Sequence, residues 1–260
     1  MTSPGMGGQG ASQLREHRVV ARNIDPDADN AIHGDDVAQQ FGFSGALVPG
    51  VELFAYATSP LVRDWGEEWL SQGEIELRFR RPVYDGEPLT VTFVDGLLQV
   101  TGPDGEVRCT GSAAPVASPA FVPAPPEAPL PAELLATLAP GALGSITELV
   151  TARRNADYLE AIAEPLPLYR EQSVAHPGLL LRLVNLLLMR NVALGPWVHM
   201  SSSCRMLSAV RLPAQLAVRG TVTELYERKG NHYVRYDALV LGDDVPAMAV
   251  DHTAIYRLGS

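Results

Sequence analysis

The chain has 260 residues, 46% of them hydrophobic, so it can bury one large core or two cores of about 130 residues each. Its net charge is −10 and it contains a single lysine, Lys229, which argues against a nucleic-acid partner. Cys109 and Cys204 show neither metal-type nor redox-type spacing, so we expect a reduced, cytoplasmic protein without a bound metal.

The N-terminal residues are expected to lack fixed structure. Residues 1–12 are rich in Gly, Ser and other small residues and have no basic start or apolar core of a signal peptide, which predicts a disordered tail. Residues 179–189 form the most apolar run of the chain, but Arg182 and Asn185 interrupt it. This run is shorter than the roughly 20 residues of a membrane span, so we predict a buried helix and no membrane partner.

The first half predicts a strand, a long helix and then antiparallel strands. Asp35 is the expected cap of a short helix over residues 36–41, and residues 51–70 are the long helix, with an irregularity at Pro60. Alternating apolar residues predict the strands, which cover residues 18–24, 75–79, 89–94, 97–101 and 106–112. This order is typical of a sheet wrapped around one helix.

A proline-rich segment separates this half from the next. Residues 115–142 are predicted to form a semi-rigid linker, with a short helix at residues 132–138 as its only regular element. The linker divides the chain into two predicted domains, residues 13–114 and residues 143–260.

The pattern of the first half then recurs in the second. His176-Pro177-Gly178 opens an apolar helix as Val48-Pro49-Gly50 does, and Trp197 precedes a strand as Trp69 does. Further strands are predicted at residues 217–226, 233–241 and 247–258. A repeated order of elements indicates two copies of one structural unit.

Four short motifs in the first half resemble one known family. Asn30–Asp35 reads Asn-Ala-Ile-His-Gly-Asp, residues 41–43 read Phe-Gly-Phe, Pro49-Gly50 opens the long helix, and residues 78–86 read Arg-Phe-Arg-Arg-Pro-Val-Tyr-Asp-Gly. In this order they resemble the MaoC-like (R)-specific enoyl-thioester hydratases and dehydratases of the hotdog fold. The resemblance spans residues 30–89.

The resemblance implies both a fold and an activity. The expected fold is α+β, a double hotdog whose two antiparallel sheets join and each wrap a long central helix. The expected activity is hydration of a 2-enoyl thioester, or dehydration of a 3-hydroxyacyl thioester, linked to CoA or to an acyl carrier. No cofactor is implied, and the fold also allows a homodimer.

The resemblance further assigns residues to roles. His33 falls on the catalytic histidine, but the family aspartate falls on Ala28, so Asp27 and Asp29 are the candidate carboxylates. Chemistry of this kind needs an acid–base pair around one water and donors for the thioester oxygen. The backbone N–H groups of Gly50 and Val51 are the candidate donors, and Asn30 is a candidate substrate-binding residue.

The departures from the family motif leave other functions open. The family proline is replaced by Ala31 and the helix-start histidine by Pro49. In the second half Glu164, Leu166 and Tyr169 fall on the aspartate, asparagine and histidine positions, which indicates a structural remnant. A thioesterase, isomerase or cyclase on the same scaffold, or a non-catalytic acyl-binding subunit, are the alternatives.

Overall fold

The computed structural model describes residues 15–24, 30–115 and 124–259. The predicted tail, residues 1–12, and the candidate carboxylates Asp27 and Asp29 lie outside these residues.

A single antiparallel sheet runs through the described part of the chain. Its order is β1-β3-β4-β5-β2-β7-β10-β9-β8-β6, and β2 and β7 pair at its centre. The predicted continuous double-hotdog sheet is therefore confirmed. The strands are β1 (Arg15–Val20), β2 (Gly73–Phe79), β3 (Pro88–Val94), β4 (Leu97–Thr101), β5 (Val107–Pro115), β6 (Gly141–Val150), β7 (Val198–Met206), β8 (Ala214–Arg228), β9 (Asn231–Gly242) and β10 (Val245–Arg257).

The described residues form five α-helices. They are α1 (Asp35–Gln40), α2 (Gly50–Gln72), α3 (Ala152–Ala161), α4 (Leu168–Glu171) and α5 (Pro177–Met189). The two long helices, α2 and α5, pack against each other and against strands of their own halves. Because α5 and the first half of α2, residues 51–62, are mostly apolar, their burial is the expected outcome. None of these helices is both long and apolar enough to cross a membrane.

Helix α2 is irregular at a different residue from the predicted one. Residues 51–62 are buried without a break, and Pro60 lies inside this helical stretch. The non-helical residue is Gly66, with φ 63° and ψ −151°. Such a positive φ is accessible to glycine at little steric cost. The irregularity predicted at Pro60 is therefore wrong in position.

Two local predictions differ from the structure for reasons of hydrogen bonding. The N-cap of α1 is Gly34, not Asp35, and the Asp35 carboxylate instead accepts the N–H of Ala46 (2.7 Å). The helix predicted at residues 132–138 is absent from this described segment. Leu135 pairs there through its backbone with the chain near Val192.

Candidate functional site

A cavity of about 310 Å³ lies where the two halves meet, at the N-terminal end of α2. Its wall combines His33, Gly50 and Phe79 of the first half with Asn185, Trp197 and His199 of the second. The sheet seam between β2 and β7 brings these halves together. Polar groups converging on an apolar cavity are the usual features of a ligand site.

His33 is held in one tautomer by the chain around it. Its Nδ1 lies 2.7 Å from the carbonyl oxygen of Leu47, which can only accept, so Nδ1 carries the proton. Its Nε2 is therefore unprotonated, and its lone pair accepts a hydrogen bond from the Asn30 amide nitrogen (3.2 Å). Asn23 fixes the His33 backbone by donating to its carbonyl oxygen (2.9 Å). The ring is thus oriented as a neutral hydrogen-bond acceptor.

The protonation of His33 follows from its surroundings. Burial lowers the pKa of His33 below its ordinary value, and the hydrogen bond to Leu47 only partly opposes this. The imidazole is therefore neutral at physiological pH. A neutral imidazole with one unprotonated nitrogen is the form that a general base requires.

Asn30 connects the loop that carries His33 to the second half of the chain. Its amide nitrogen donates to the carbonyl oxygen of Trp197 (3.0 Å), and its oxygen accepts the N–H of Trp197 (3.2 Å). These two contacts also determine which way the amide points, with its second N–H towards His33. Asn30 is 4% exposed, so it is placed to orient His33 and the cavity wall together.

The start of α2 provides backbone donors beside His33. Pro49 is the N-cap residue and makes no side-chain cap bond to the first amides of the helix. Gly50 and Val51 contribute the first two of these amides, and the helix dipole adds positive potential there. Gly50 lines this cavity, whereas Val51 lines an adjoining one that also reaches Asn30 and His33. Gly50 is closely packed, because a Cβ atom there would lie 2.8 Å from His199 Nδ1.

No carboxylate lines this cavity within the described part of the chain. Asp27, Ala28 and Asp29 lie just before Asn30 but outside the described residues. Asp35 and Asp85 border a neighbouring cleft that also reaches His33. In the same described residues, no group of His, Cys, Asp and Glu side chains is arranged to hold a metal ion.

Asn185 and His199 both line the cavity, although the sequence favoured an interhelix hydrogen bond for Asn185 and gave His199 no site role. Asn185 lies on α5, and its side-chain oxygen is buried with no hydrogen-bond partner in the structure described. His199 lies at the start of β7, beyond the end of β2, and contacts Phe79 edge-on with 4.6 Å between ring centroids. In the sequence, the signal for Asn185 was its position as a polar residue in a mostly apolar helix.

Glu164 and Tyr169, the second-half residues at the motif positions, are buried beside His176. Glu164 accepts the N–H of Leu166 (2.8 Å), and its other oxygen lies 3.5 Å from His176 Nε2. Burial raises the pKa of Glu164, but His176 and the hydrogen bonds together lower it further than burial raises it. Tyr169 is fully buried beside His176, with 4.6 Å between ring centroids.

Glu52 has a structural partner and does not face the cavity. It is completely buried and forms an ion pair with Arg182 of α5. The pair therefore ties the two long helices together.

Similar proteins are found by structure and not by sequence. No protein-family model matches the chain, and no curated protein matches it. A protein described as a MaoC-domain dehydratase from Chloroflexus aurantiacus is similar with a TM-score of 0.66 and 12% identity, over 95% of this chain and 96% of the other. A conserved hypothetical protein from Mycobacterium tuberculosis with a double hotdog fold gives 0.64 and 15%, over 95% and 96%.

A third similar structure extends the range of activities among the neighbours. It is an isomerase-inactive variant of the domain GphF DH1, with a TM-score of 0.52 and 13% identity, over 98% of this chain and 95% of the other. At these identities the comparisons establish the fold. The chain has the double hotdog fold that MaoC-like dehydratases share.

Proposed function

We propose that the protein is a hydratase or dehydratase of acyl thioesters, acting on a 2-enoyl or 3-hydroxyacyl substrate. The observation that carries the proposal is the pairing of a neutral His33, whose Nε2 is unprotonated and accepts only the N–H of Asn30, and the uncapped start of α2 on one cavity. The first group can take a proton, and the second can hold the negative charge that develops on a thioester oxygen. The fold shared with MaoC-like dehydratases supports the same reading.

The hydration step can be written with these groups alone. His33 Nε2 takes a proton from water as the water oxygen bonds to C3 of the enoyl chain. The C2–C3 π electrons move towards the thioester, whose oxygen is held by the amides of Gly50 and Val51. Protonated His33 then returns its proton to C2, which restores the neutral imidazole. Dehydration is the reverse sequence.

Two further residues fit this chemistry. The unpaired side-chain oxygen of Asn185 can accept the second hydrogen of the attacking water. Asp27 or Asp29 remains the proposed carboxylate partner, because the segment that carries them leads directly into Asn30.

A CoA-linked substrate is favoured by the charge near the cavity. Arg80 and Arg81 both line it, and guanidinium groups bind phosphate well. Arg81 also pairs with Glu106 at 2.8 Å, which holds its side chain in place.

The test is hydration of crotonyl-CoA, which is monitored by the loss of enoyl-thioester absorbance. His33→Asn should fold normally, because its amide can still donate to Leu47 where Nδ1 did, yet it loses Nε2. We expect a rate loss on the order of 10²–10⁴, the range for removing a general acid or base. His232→Ala, on β9, is the matched control and should retain the rate, because the neighbouring Asn231 lines the cavity but His232 does not. Normal turnover by His33→Asn would reject His33 as the base.

One observation favours a second candidate, an isomerase of enoyl thioesters. Moving a double bond needs one base and an oxyanion site but no water-activating carboxylate, and no carboxylate lines the cavity in the described residues. His33 would take a proton from C4 and return it to C2. Conversion of crotonyl-CoA to its non-conjugated isomer without hydration would identify this activity.

A further inference from the structure

Three polar residues form a line on the inner face of the sheet, next to the cavity. They are His199 and Ser202 of β7 and His252 of β10, all at least nine-tenths buried. Ser202 and His252 lie directly opposite each other in the β7–β10 pair. The register of this pair shifts beside His199, so that His199 and Ser202 both point inwards although they are three residues apart. A bulge of this kind re-aims a side chain.

Ser202 links the two histidines. Its hydroxyl oxygen lies 2.8 Å from His199 Nε2 and 3.0 Å from His252 Nδ1. The remaining nitrogens, His199 Nδ1 and His252 Nε2, are buried and have no hydrogen-bond partner in the structure described. Burial lowers the pKa of His252 to about 3, and burial together with His252 lowers the pKa of His199 well below its ordinary value. Both rings are therefore neutral and carry one proton each.

Two arrangements are possible when the single hydroxyl proton of Ser202 lies between the two histidines. If Ser202 donates to His252, then His199 donates to Ser202, and the proton left on His252 Nε2 has no acceptor. If Ser202 donates to His199, then His252 donates to Ser202, and the unpaired N–H is His199 Nδ1. Buried N–H groups without partners are rarer than unpaired acceptors. Tyr236, at 5.0 Å between ring centroids, offers His252 only a weak N–H···π contact.

The second arrangement places the unpaired N–H at the ligand cavity and not behind it. His199 Nδ1 lies against Gly50, where a Cβ atom would come within 2.8 Å of it. It therefore adjoins the first amides of α2. A ligand oxygen at the cavity wall can satisfy this N–H, whereas nothing in the described residues satisfies His252 Nε2 in the alternative arrangement.

We propose that His199 is a ligand-binding residue, whose Nδ1–H, oriented by Ser202 and His252, joins the amides of Gly50 and Val51 in holding a carbonyl oxygen. A neutral donor beside a helix N-terminus suits a polarised carbonyl oxygen. The inference rests on the acyl-thioester class proposed above, but it does not depend on hydration being the reaction.

Phe79 controls access to this nitrogen. Its half-buried ring lines the cavity, packs edge-on against His199 and, with Gly50, shields Nδ1 from water. Among these contacts, only the Phe79 side chain can move by rotation without a change in the backbone. An acyl chain that enters the cavity would therefore displace this ring and reach Nδ1.

The test uses binding and spectroscopy, so it does not require turnover. Butyryl-CoA, labelled with carbon-13 at the thioester carbon, is compared with S-butyl-CoA, a thioether that lacks the carbonyl oxygen. His199→Asn keeps an amide donor near the position of Nδ1, whereas His199→Gln reaches towards Ser202 at the position of Nε2 and leaves the Nδ1 position empty. We expect His199→Gln to bind butyryl-CoA about tenfold more weakly, equivalent to about 1.4 kcal/mol. His199→Asn should stay near wild type, and S-butyl-CoA should bind all three proteins equally.

The carbonyl stretch in the infrared difference spectrum reports the hydrogen bond directly. It should move to lower frequency in wild type and in His199→Asn, and recover part of that shift in His199→Gln. Equal affinities and equal frequencies in both variants would overturn the proposal while leaving the hydration assay untouched. Failure of wild type to bind butyryl-CoA would reject both this inference and the proposed substrate class.

A measurement on the unmodified protein covers the case in which a variant does not fold. Nitrogen-15 NMR of labelled histidines distinguishes an Nδ1–H from an Nε2–H imidazole. We expect His199 to be protonated on Nδ1. An Nε2–H signal for His199 would reject the arrangement on which the proposal depends.

Discussion

Asn30 sets the electrostatic state of His33 as well as its orientation. Its amide is neutral and donates to Trp197 and towards His33 Nε2, so the imidazole has no adjacent negative charge among these contacts. Burial then lowers the pKa of His33, and no carboxylate is among the groups that oppose this shift. A carboxylate at residue 30 would reverse this, because a negative charge stabilises the protonated imidazole.

Asn30→Asp should therefore move the pH dependence of the reaction upwards. In wild type the base form of His33 persists above a pKa that lies below 6.5, and kcat/KM of the proposed reaction should fall as the pH drops through that pKa. We expect the acidic limb to shift upwards by about one pH unit or more in Asn30→Asp. Asn30→Ala removes the same hydrogen bonds without adding charge and is the control. An acidic limb at the same pH in all three proteins would mean that His33 does not govern it.

At the scale of secondary structure, the start of α2 depends on the absence of a side chain at residue 50. A Cβ atom on Gly50 would lie 2.8 Å from His199 Nδ1 and 3.1 Å from a Phe79 ring carbon. The first of these distances is below any ordinary carbon contact. The start of α2, the Phe79 ring and the His199 imidazole therefore pack closely against one another.

Gly50→Ala should destabilise the protein and impair ligand binding together. Overpacking of a tight site costs about 1–3 kcal/mol, which chemical denaturation would measure. The crotonyl-CoA rate should fall as well, because the helix start must move. Gly195→Ala is the matched control, since nothing lies within 4 Å of its added Cβ atom. An active and fully stable Gly50→Ala protein would contradict this account of the site.

At the scale of the whole molecule, one buried ion pair joins the two halves. Glu52 of α2 is completely buried, and Arg182 of α5 keeps 23% of its side chain exposed. Removing one partner leaves the other charge poorly solvated. Replacing both with apolar residues avoids that cost.

A double-mutant cycle can measure this connection. Glu52→Leu and Arg182→Met should each cost about 3 kcal/mol in the free energy of unfolding, the lower end of the range for breaking a buried pair. The double variant should cost clearly less than the sum. Additive costs would show that the two side chains do not stabilise each other.

The buried histidines also make the stability of the whole chain sensitive to acid. Burial lowers the pKa of His252 to about 3 in the folded chain, against 6.5 for the ordinary value. The unfolded chain therefore binds the extra proton first, and stability present above pH 6.5 is lost as the pH falls towards 3. Each such imidazole contributes a slope approaching about 1.4 kcal/mol per pH unit.

His252→Asn should flatten this dependence by about one imidazole's contribution. The asparagine amide can still form a hydrogen bond with Ser202 at the position of Nδ1. The comparison therefore concerns the slope of stability against pH and not the absolute stability. Denaturation between pH 7 and pH 5 is the measurement, with exposed-face residue Thr223→Ala on β8 as the control. Equal slopes in His252→Asn and wild type would show that His252 is not the buried neutral group described.

The sequence by itself determined the features that depend on local pattern. The alternation of apolar residues located most strands, and the apolar runs after Gly50 and Gly178 located both long helices. The repeated Pro-Gly-helix order indicated the double hotdog, and the joined sheet confirms it. The loop around Asn30 and His33 was also visible, because its residues are close together in the chain.

Only the tertiary structure decided which distant residues share the cavity. His199 and Asn185 meet His33 because β7 pairs with β2 and α5 packs on α2, and neither contact leaves a trace in local periodicity. The bulge in β7 even reverses the face that simple alternation would give His199 relative to Ser202. Periodicity reports which way a side chain points within its own element, whereas a site is made where elements meet, and that depends on packing over the whole chain.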